Sequence, residues 1–371
     1  MKGLVNILIV LVIAFMLLGA IMVFTASGTY SLSRFNNFYF LFKSHLWKVF
    51  AALICLLIFA YIPYDYYRKY SKKLLFVIIG FLIITLFFAP KVKGAARWID
   101  LGFFQFQPSE AAKLILIMHL AFLIERQGEQ LRDFKNGFLY TLIWIGVVSG
   151  LVLIQPNVST SLIIVMTSFA ILYVGGAKVK HIAGIVLPAI GMLGAVIMIF
   201  KHSRERVLTF INSLVTGADI NMQVKQAKIA LGSGGFTGLG LGHSRQSDLF
   251  LPESYGDFIF SILGEELGFA GAVVILFLYL ALFVICLIVA KKAQDRFGQL
   301  LVFGLAFNIL ISAFINAGVV TGLLPTTGIT LPFISFGGTS IIIFGISIGI
   351  IVSVARQTVK TEELRMVAQA G

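Results

Sequence analysis

Leu251 to Phe269, LPESYGDFIFSILGEELGF, carries Glu253 and Asp257 in a polar loop that turns directly into an apolar helix. A carboxylate at the mouth of such a helix costs free energy unless it is solvated, paired or used, which makes Asp257 a candidate general base. Lying immediately ahead of FIFSILG, it either caps that helix or is aimed at something outside it. Helical spacing puts Ser261, Gly264 and Gly268 on its face, a small-residue stripe that permits close helix contact or leaves an open channel. Glu265 is the candidate second carboxylate, but a rise of about 1.5 Å per residue sets it roughly 12 Å deeper, beyond the about 5 to 9.5 Å that two acids need around one sugar bond. An acid working at Asp257 therefore acts alone or with basic partners from other loops.

Further polar groups stand where an apolar chain would not otherwise keep them. Glu110 and Lys113, in QPSEAAKL, lie one helical turn apart and can pair, either as part of a site or as a structural ion pair. Gln155, Pro156 and Asn157 break two apolar runs, as a turn or as part of a site. Lys225 and Lys228 fall on a short helix expected over Asn221 to Leu231, and Arg245 follows it, as solvated loop cations or as partners for an anionic headgroup or pyrophosphate. The intervening GSGGFTGLGLG is not a phosphate-binding loop, since no strand precedes it and no Gly-Lys-Ser/Thr closes it. Its glycines suit tight backbone packing at the surface.

The elements that must position these groups are membrane helices. With 59% hydrophobic and 12% charged residues and a mean hydropathy of +0.98, the 371-residue chain cannot be arranged with a polar surface, which excludes soluble enzymes and nucleic-acid binders. The expected fold is an all-α polytopic bundle of about ten transmembrane helices in a single domain, 1–371. The spans fall near 4–24, 45–62, 74–89, 111–124, 137–154, 158–174, 182–200, 258–290, 300–320 and 341–354. A large extracytoplasmic loop, about 201–256, separates helices 7 and 8, and a short cytoplasmic tail covers about 356–371. The first span is too long for a signal-peptide core and is expected to stay uncleaved. The stretch 91–110 should lie at the interface, with Trp98, Phe103, Phe104 and Phe106 at headgroup level and Pro108 starting a helix. Cys55 and Cys286 sit in apolar runs as small buried hydrophobes.

Basic residues fix the orientation. Arg68, Lys69, Lys72, Lys73, Arg126, Arg132, Lys135, Lys178, Lys180, Lys291, Lys292, Arg296, Arg356, Lys360 and Arg365 collect on one side if both termini are cytoplasmic, and they account for much of the net charge of +13. The 91–110, 155–157, 201–257 and 321–340 segments then share the outer face, where they can build one site.

Those segments, GAARWIDLGFFQFQPSEAAKL, the Gln-Pro turn, GSGGFTGLGLG with HSRQSDLFLPESYGDFIFSILGEELGF, and NAGVVTGLLPTTGITLPFISFGGTS, together resemble the SEDS family (FtsW/RodA/SpoVE), in order and over nearly the whole chain. The SRQ segment ahead of LPES is more similar to the division, FtsW-type branch than to the elongation, RodA-type branch. The resemblance implies a ten-helix peptidoglycan glycosyltransferase of the bacterial cytoplasmic (inner) membrane, polymerising lipid II on the extracytoplasmic face with a class B penicillin-binding protein and other divisome proteins. By position, it puts the catalytic acid on Asp257 and substrate-binding groups on Glu253, Arg97, Trp98, Glu110 and Lys113, with Gln155, Lys225, Lys228, Arg245 and Ser335 as further candidates. Three departures stand out: Tyr255-Gly256 for His-Thr, Ser335-Phe336-Gly337-Gly338 for Ser-Tyr-Gly-Gly, and Asn157 for the Asp of Gln-Pro-Asp, which leaves Glu110 as the partner for Lys113.

On this reading Asp257 takes the proton of the acceptor's 4-hydroxyl, that oxygen attacks the donor's anomeric carbon with inversion, and undecaprenyl pyrophosphate leaves. Lys113, Arg97 and Arg245 would offset the charge on the pyrophosphate. A divalent cation, Mg2+ or Mn2+, could share that task, although no cluster of ligands in the sequence specifies one. The competing functions are a lipid II flippase, for which no inverted repeat is visible, and a division scaffold without catalysis.

Overall fold

The computed structural model describes residues 2–89, 97–100, 102, 105–217, 221–247 and 250–370. The chain is mostly helical: α1 (Lys2–Phe35), α2 (Phe40–Tyr61), α3 (Tyr64–Phe88), α4 (Pro108–Gln127), α5 (Leu139–Ile154), α6 (Val158–Val174), α7 (Val179–Ile199), α8 (Lys201–Thr216), α9 (Met222–Ser233), α10 (Ile259–Lys292), α11 (Arg296–Val320) and α12 (Thr339–Ala370). Among the described residues seven helices are long and apolar enough to cross a membrane: α1, α2, α3, α10, α11, the run Phe134–Ile154 that ends in α5, and the Thr339–Thr361 part of α12. Each of the other expected spans also falls on a helix, α4, α6 or α7.

α4 differs from the seven for a physical reason. It carries Glu110, Lys113, Glu125 and Arg126, yet Pro108 through Leu114 are all buried, so it meets protein on nearly every side instead of lipid. It packs against α3, α5, α6, α11 and α12. Ionisable groups survive there because neighbouring helices, not hydrocarbon, receive them.

Two features depart from the expected arrangement of spans and loops. Ahead of α4, β1 (Ile99–Asp100) and β2 (Gln105–Phe106) pair antiparallel, Ile99 opposite Phe106, and Phe106 is half-buried against the ring of Phe81. Trp98 is half-buried beside this hairpin, while Phe103 and Phe104 lie outside the described residues. The second feature is α8, which occupies the start of the long polar segment and was not expected; α9 covers the expected short helix.

The glycine run has a definite use. α10 is broken at Gly268 (φ 70°, ψ −175°), which frees backbone groups on both sides of the break. The loop from Gly235 to Gly240 takes them up: Leu239 and Gly240 donate to the carbonyls of Glu265 and Glu266 at 3.0 Å, and Phe269 and Ala270 donate to Gly235 and Phe236 at 2.9 and 3.1 Å. The two backbones run so close that a Cβ on Gly238 (φ +85°) would lie 2.2 Å from Glu266 O, and one on Gly268 would lie 2.3 Å from Gly238 N. Only glycine fits both positions.

This approach predicts a graded outcome in thermal unfolding of the detergent-solubilised chain. Gly242→Ala, at φ +77° with nothing within 4 Å, carries backbone strain alone and should cost about 1 kcal/mol. Gly238→Ala adds a collision with backbone and should cost at least about 2 kcal/mol more. Equal losses would mean that the loop and α10 are not in register.

Candidate functional site

The loop from Leu251 to Phe258 is fixed by backbone bonds at almost every residue. Ser254, 2% exposed, donates to Ala26 O of α1 at 3.1 Å. The ring of Tyr255 lies 5.3 Å from that of Tyr30 and 5.5 Å from that of Phe336, and Phe336 N donates to Tyr255 O at 2.9 Å. Ser335 Oγ donates to Gly256 O at 2.8 Å and accepts from Leu331 N at 2.7 Å. Asn316 of α11, 1% exposed, uses one amide nitrogen to bond both Asp257 O and Ile329 O at 2.7 Å each. The loop that carries Asp257 is thereby tied to α1, α11 and the 329–336 loop.

Its side chain has a different fate. The cap position of α10 is held by Phe258 without a side-chain cap bond, so Asp257 lies one residue ahead of the cap. The residue is half-buried, and its carboxylate lies against Gly328, where a Cβ would stand 3.3 Å from Asp257 Oδ2. Facing it is Arg206 of α8, whose Nη1 donates to Thr326 O at 3.1 Å. Burial lowers the Arg206 pKa, and the carboxylates of Asp257 and Glu253 oppose that shift. Arg97 is shifted down by burial too, and then by the like charge of Arg206. Both guanidiniums stay charged. Asp257, Glu253, Arg206 and Arg97 thus form one electrostatic group drawn from three segments far apart in sequence.

The other candidates are distributed around it. Arg97 bonds Gln155 O through Nε at 3.4 Å and Pro156 O through Nη2, joining the hairpin segment to the Gln-Pro turn. Gln155, 1% exposed, donates to Leu82 O at 2.9 Å, and Asn157, 5% exposed, donates to Ser109 Oγ at 3.4 Å. Glu110 and Lys113 form the expected pair, buried, with Oε1 and Nζ 2.9 Å apart. Lys228 lines a small cavity with Arg206, Ser213, Asn221 and Thr326. Lys225 and the side chain of Arg245 are exposed. Glu253 is exposed with φ 59°. Ser335 is 2% exposed and both its bonds are to backbone, so it positions the Asp257 loop from behind.

Glu265 takes a structural task. Fully buried, it accepts from Ser244 Oγ at 2.5 Å, Arg245 N at 3.1 Å, Ser233 Oγ at 3.3 Å and Gln246 N at 3.4 Å. This carboxylate anchors the loop that leads toward Asp257. Arg206 and Asn316 are site residues that the sequence reading missed. Asn316 had a signal, a polar residue inside an apolar span, at the head of the quoted NAGVV motif. Arg206 had none that separates it from Lys201, Arg204 and the other cations around it. For a divalent cation the residues fit poorly: among the described residues no three His, Cys, Asp or Glu side chains group to hold one.

The comparisons agree with one another. Residues 5–360 match the FtsW/RodA/SpoVE family model, described as cell cycle protein. A probable peptidoglycan glycosyltransferase FtsW from Geobacter sp. (strain M18) is 36% identical, the alignment covering 94% of this chain and 96% of the relative. Stage V sporulation protein E of Bacillus subtilis (strain 168) is 33% identical over 94% and 96% of the two chains. A chain of a peptidoglycan synthase complex, solved for its coordination of polymerization and crosslinking, superposes with a TM-score of 0.77 at 25% identity over 95% of this chain and 97% of that one. The rod shape determining protein RodA of Thermus thermophilus superposes with a TM-score of 0.70 at 25% identity, over 95% and 96%.

The double bond from Asn316 predicts a specific defect. Asn316→Leu leaves two half-buried carbonyls without this donor and should lower unfolding stability by about 1 to 2 kcal/mol. Asn308→Leu, also buried on α11, leaves the Asp257 loop untouched. Thermal unfolding with limited proteolysis around 251–258 measures this, and a loop equally protected in both variants would contradict the assignment.

Proposed function

The chain belongs to the FtsW/RodA/SpoVE family of cell cycle proteins, and on that premise we propose that it is a peptidoglycan glycosyltransferase that polymerises lipid II in bacterial cell division. The observation that carries this reading is a carboxylate, Asp257, held through its backbone within electrostatic reach of the half-buried guanidinium of Arg206, with Arg97 in turn within reach of Arg206. Glycosyl transfer from a lipid pyrophosphate needs a base for the acceptor hydroxyl and cations for the leaving group, and little else.

In the proposed step Asp257 accepts the proton of the acceptor 4-hydroxyl as that oxygen bonds to the donor's anomeric carbon. The bond from that carbon to the pyrophosphate oxygen breaks, its electron pair leaves with the pyrophosphate, and the configuration inverts. Arg206 and Arg97 offset the growing charge, with Lys228 beside Arg206 extending the cationic lining. The charge of Lys113 is already matched by Glu110, so this pair is assigned to holding α4 in place. No step is routed through a metal ion.

The remaining elements of the reading follow the same chemistry. α4, α6 and α7 complete ten crossing helices with the seven long ones, both termini are cytoplasmic, and the Asp257 site opens on the extracytoplasmic face with the 201–256 segment. The distribution of Lys and Arg among the short links supports this orientation. Likeness to a chain of a peptidoglycan synthase complex supports a partner, proposed to be a class B penicillin-binding protein. Relatives named FtsW support the division branch over elongation.

The test is glycan-strand synthesis from labelled lipid II by the purified chain with its cognate partner. Native protein should yield polymer and folded, partner-bound Asp257→Ala none. Arg206→Gln should lower the rate about 10²- to 10³-fold, as loss of one charge-stabilising donor does, and Arg206→Lys should recover part of it. Equal polymer from native protein and Asp257→Ala removes Asp257 from the chemistry. Absence of polymer from all, with lipid II crossing vesicle bilayers, favours a flippase.

A further inference from the structure

At the other end of α1 from the Asp257 loop, the helices part. Ser254 bonds α1 at Ala26, whereas Lys2 to Ile9 of α1 border a cavity of about 460 Å³ between α1, α2 and α12. At about 1.5 Å per residue the two sites are roughly 25 Å or more apart along that helix. The volume is within the about 300–1,000 Å³ typical of small-molecule sites.

The lining has two chemistries. Val5, Ile9, Leu57 and Val352 make an apolar wall, on helices long enough to cross a membrane. Lys2, Arg356 and Lys360 supply cations at its edge, and no Asp or Glu is among the described residues that line it. Arg356 is held in a set posture: its guanidinium carbon lies 4.2 Å from the centroid of the Tyr61 ring, and Nη1 donates to Ala60 O at 3.4 Å. A guanidinium has five N–H donors in a planar fork, so this arrangement leaves most of them for a phosphate oxygen pair. An apolar slot with a cationic edge, at the end of membrane helices, matches one kind of molecule in charge and shape together.

We propose that this cavity binds an anionic glycerophospholipid, its phosphate on Arg356 and Lys360 and its upper acyl chain along Val5, Ile9, Leu57 and Val352. The lipid would join α1, α2 and α12 at the end where their own side chains do not fill the gap. Neither the glycosyl transfer nor Asp257 is involved.

Native mass spectrometry of the full-length chain, titrated with dioleoyl-phosphatidylglycerol, dioleoyl-phosphatidylcholine or inorganic phosphate, tests this. The native chain should bind the anionic lipid at least about tenfold more tightly than the zwitterionic one. Arg356→Gln with Lys360→Gln should reduce that preference to about twofold or less. Leu57→Trp, which narrows the slot with every charge in place, should weaken both lipids; Leu57 is 57% exposed, so the change leaves the core alone. Lys291→Gln with Lys292→Gln, exposed cations on α10 outside the cavity, should bind as the native chain does. Gel filtration checks that each variant is folded. Equal binding of the two lipids by the native chain, a preference that survives the double glutamine variant, or displacement of the lipid by inorganic phosphate at equal concentration would each overturn the proposal.

Discussion

One amide nitrogen, Nδ2 of Asn316, holds the candidate site together. A backbone carbonyl that loses water on partial burial costs free energy unless a donor replaces it. Asp257 O and Ile329 O meet this requirement through the same nitrogen, at 2.7 Å each. Ser335 does the equivalent one residue earlier, bonding Gly256 O and receiving Leu331 N. Two loops separated by some seventy positions in sequence are therefore one body, backed by α11. The cap position of α10 falls to Phe258, and the carboxylate of Asp257 lies within electrostatic reach of Arg206. Fixing the backbone of Asp257 limits where its carboxylate can lie, which is what preorganisation requires of the base proposed here.

The same accounting explains why neighbouring acids have different work. Glu265 is fully buried, so its charge must be met locally, and it collects four donors from the 233–246 segment. The break at Gly268 is met by the glycine loop, whose backbone takes the place of a missing helical turn. A carboxylate that needs four partners cannot also exchange protons with a substrate. Asp257 is only half-buried, so solvent meets part of its charge.

Local chemistry explains which features could be seen in the sequence. The apolar runs, the short helix near 221–231 and the Glu110–Lys113 pair depend on residues adjacent or one turn apart, and each is present. The central position of α4 was hidden, because its charges make it look like the poorest span although it is the most enclosed. α8 was hidden by its charged start: Val207, Phe210, Ile211 and Leu214 recur at helical spacing, a period outweighed by Lys201, Arg204 and Arg206. Arg206 itself could not be distinguished, since its role depends on α8 folding back beside a loop fifty residues on. The glycine run was expected to allow close backbone packing, but its partner, the break in α10, is a tertiary fact.

The arrangement of charge distinguishes a tight ion pair inside the bundle from a looser group of four charges at the site. Glu110 and Lys113 neutralise each other at 2.9 Å inside the bundle, so a third charge gains little by approaching them. Arg97 and Arg206 repel one another and are both depressed by burial, with Asp257 and Glu253 opposing this only in part at Arg206. The backbone carbonyls of Gln155, Pro156 and Thr326 hold the two guanidiniums near one another although their charges repel. In the proposed transfer a pyrophosphate entering that place would relieve the repulsion, and most of all when its charge is largest, as the bond to the sugar breaks. Interactions that strengthen along the reaction lower its barrier, whereas equal binding of reactant and transition state does not. The repulsion between the two arginines thus suits the leaving group of the proposed transfer.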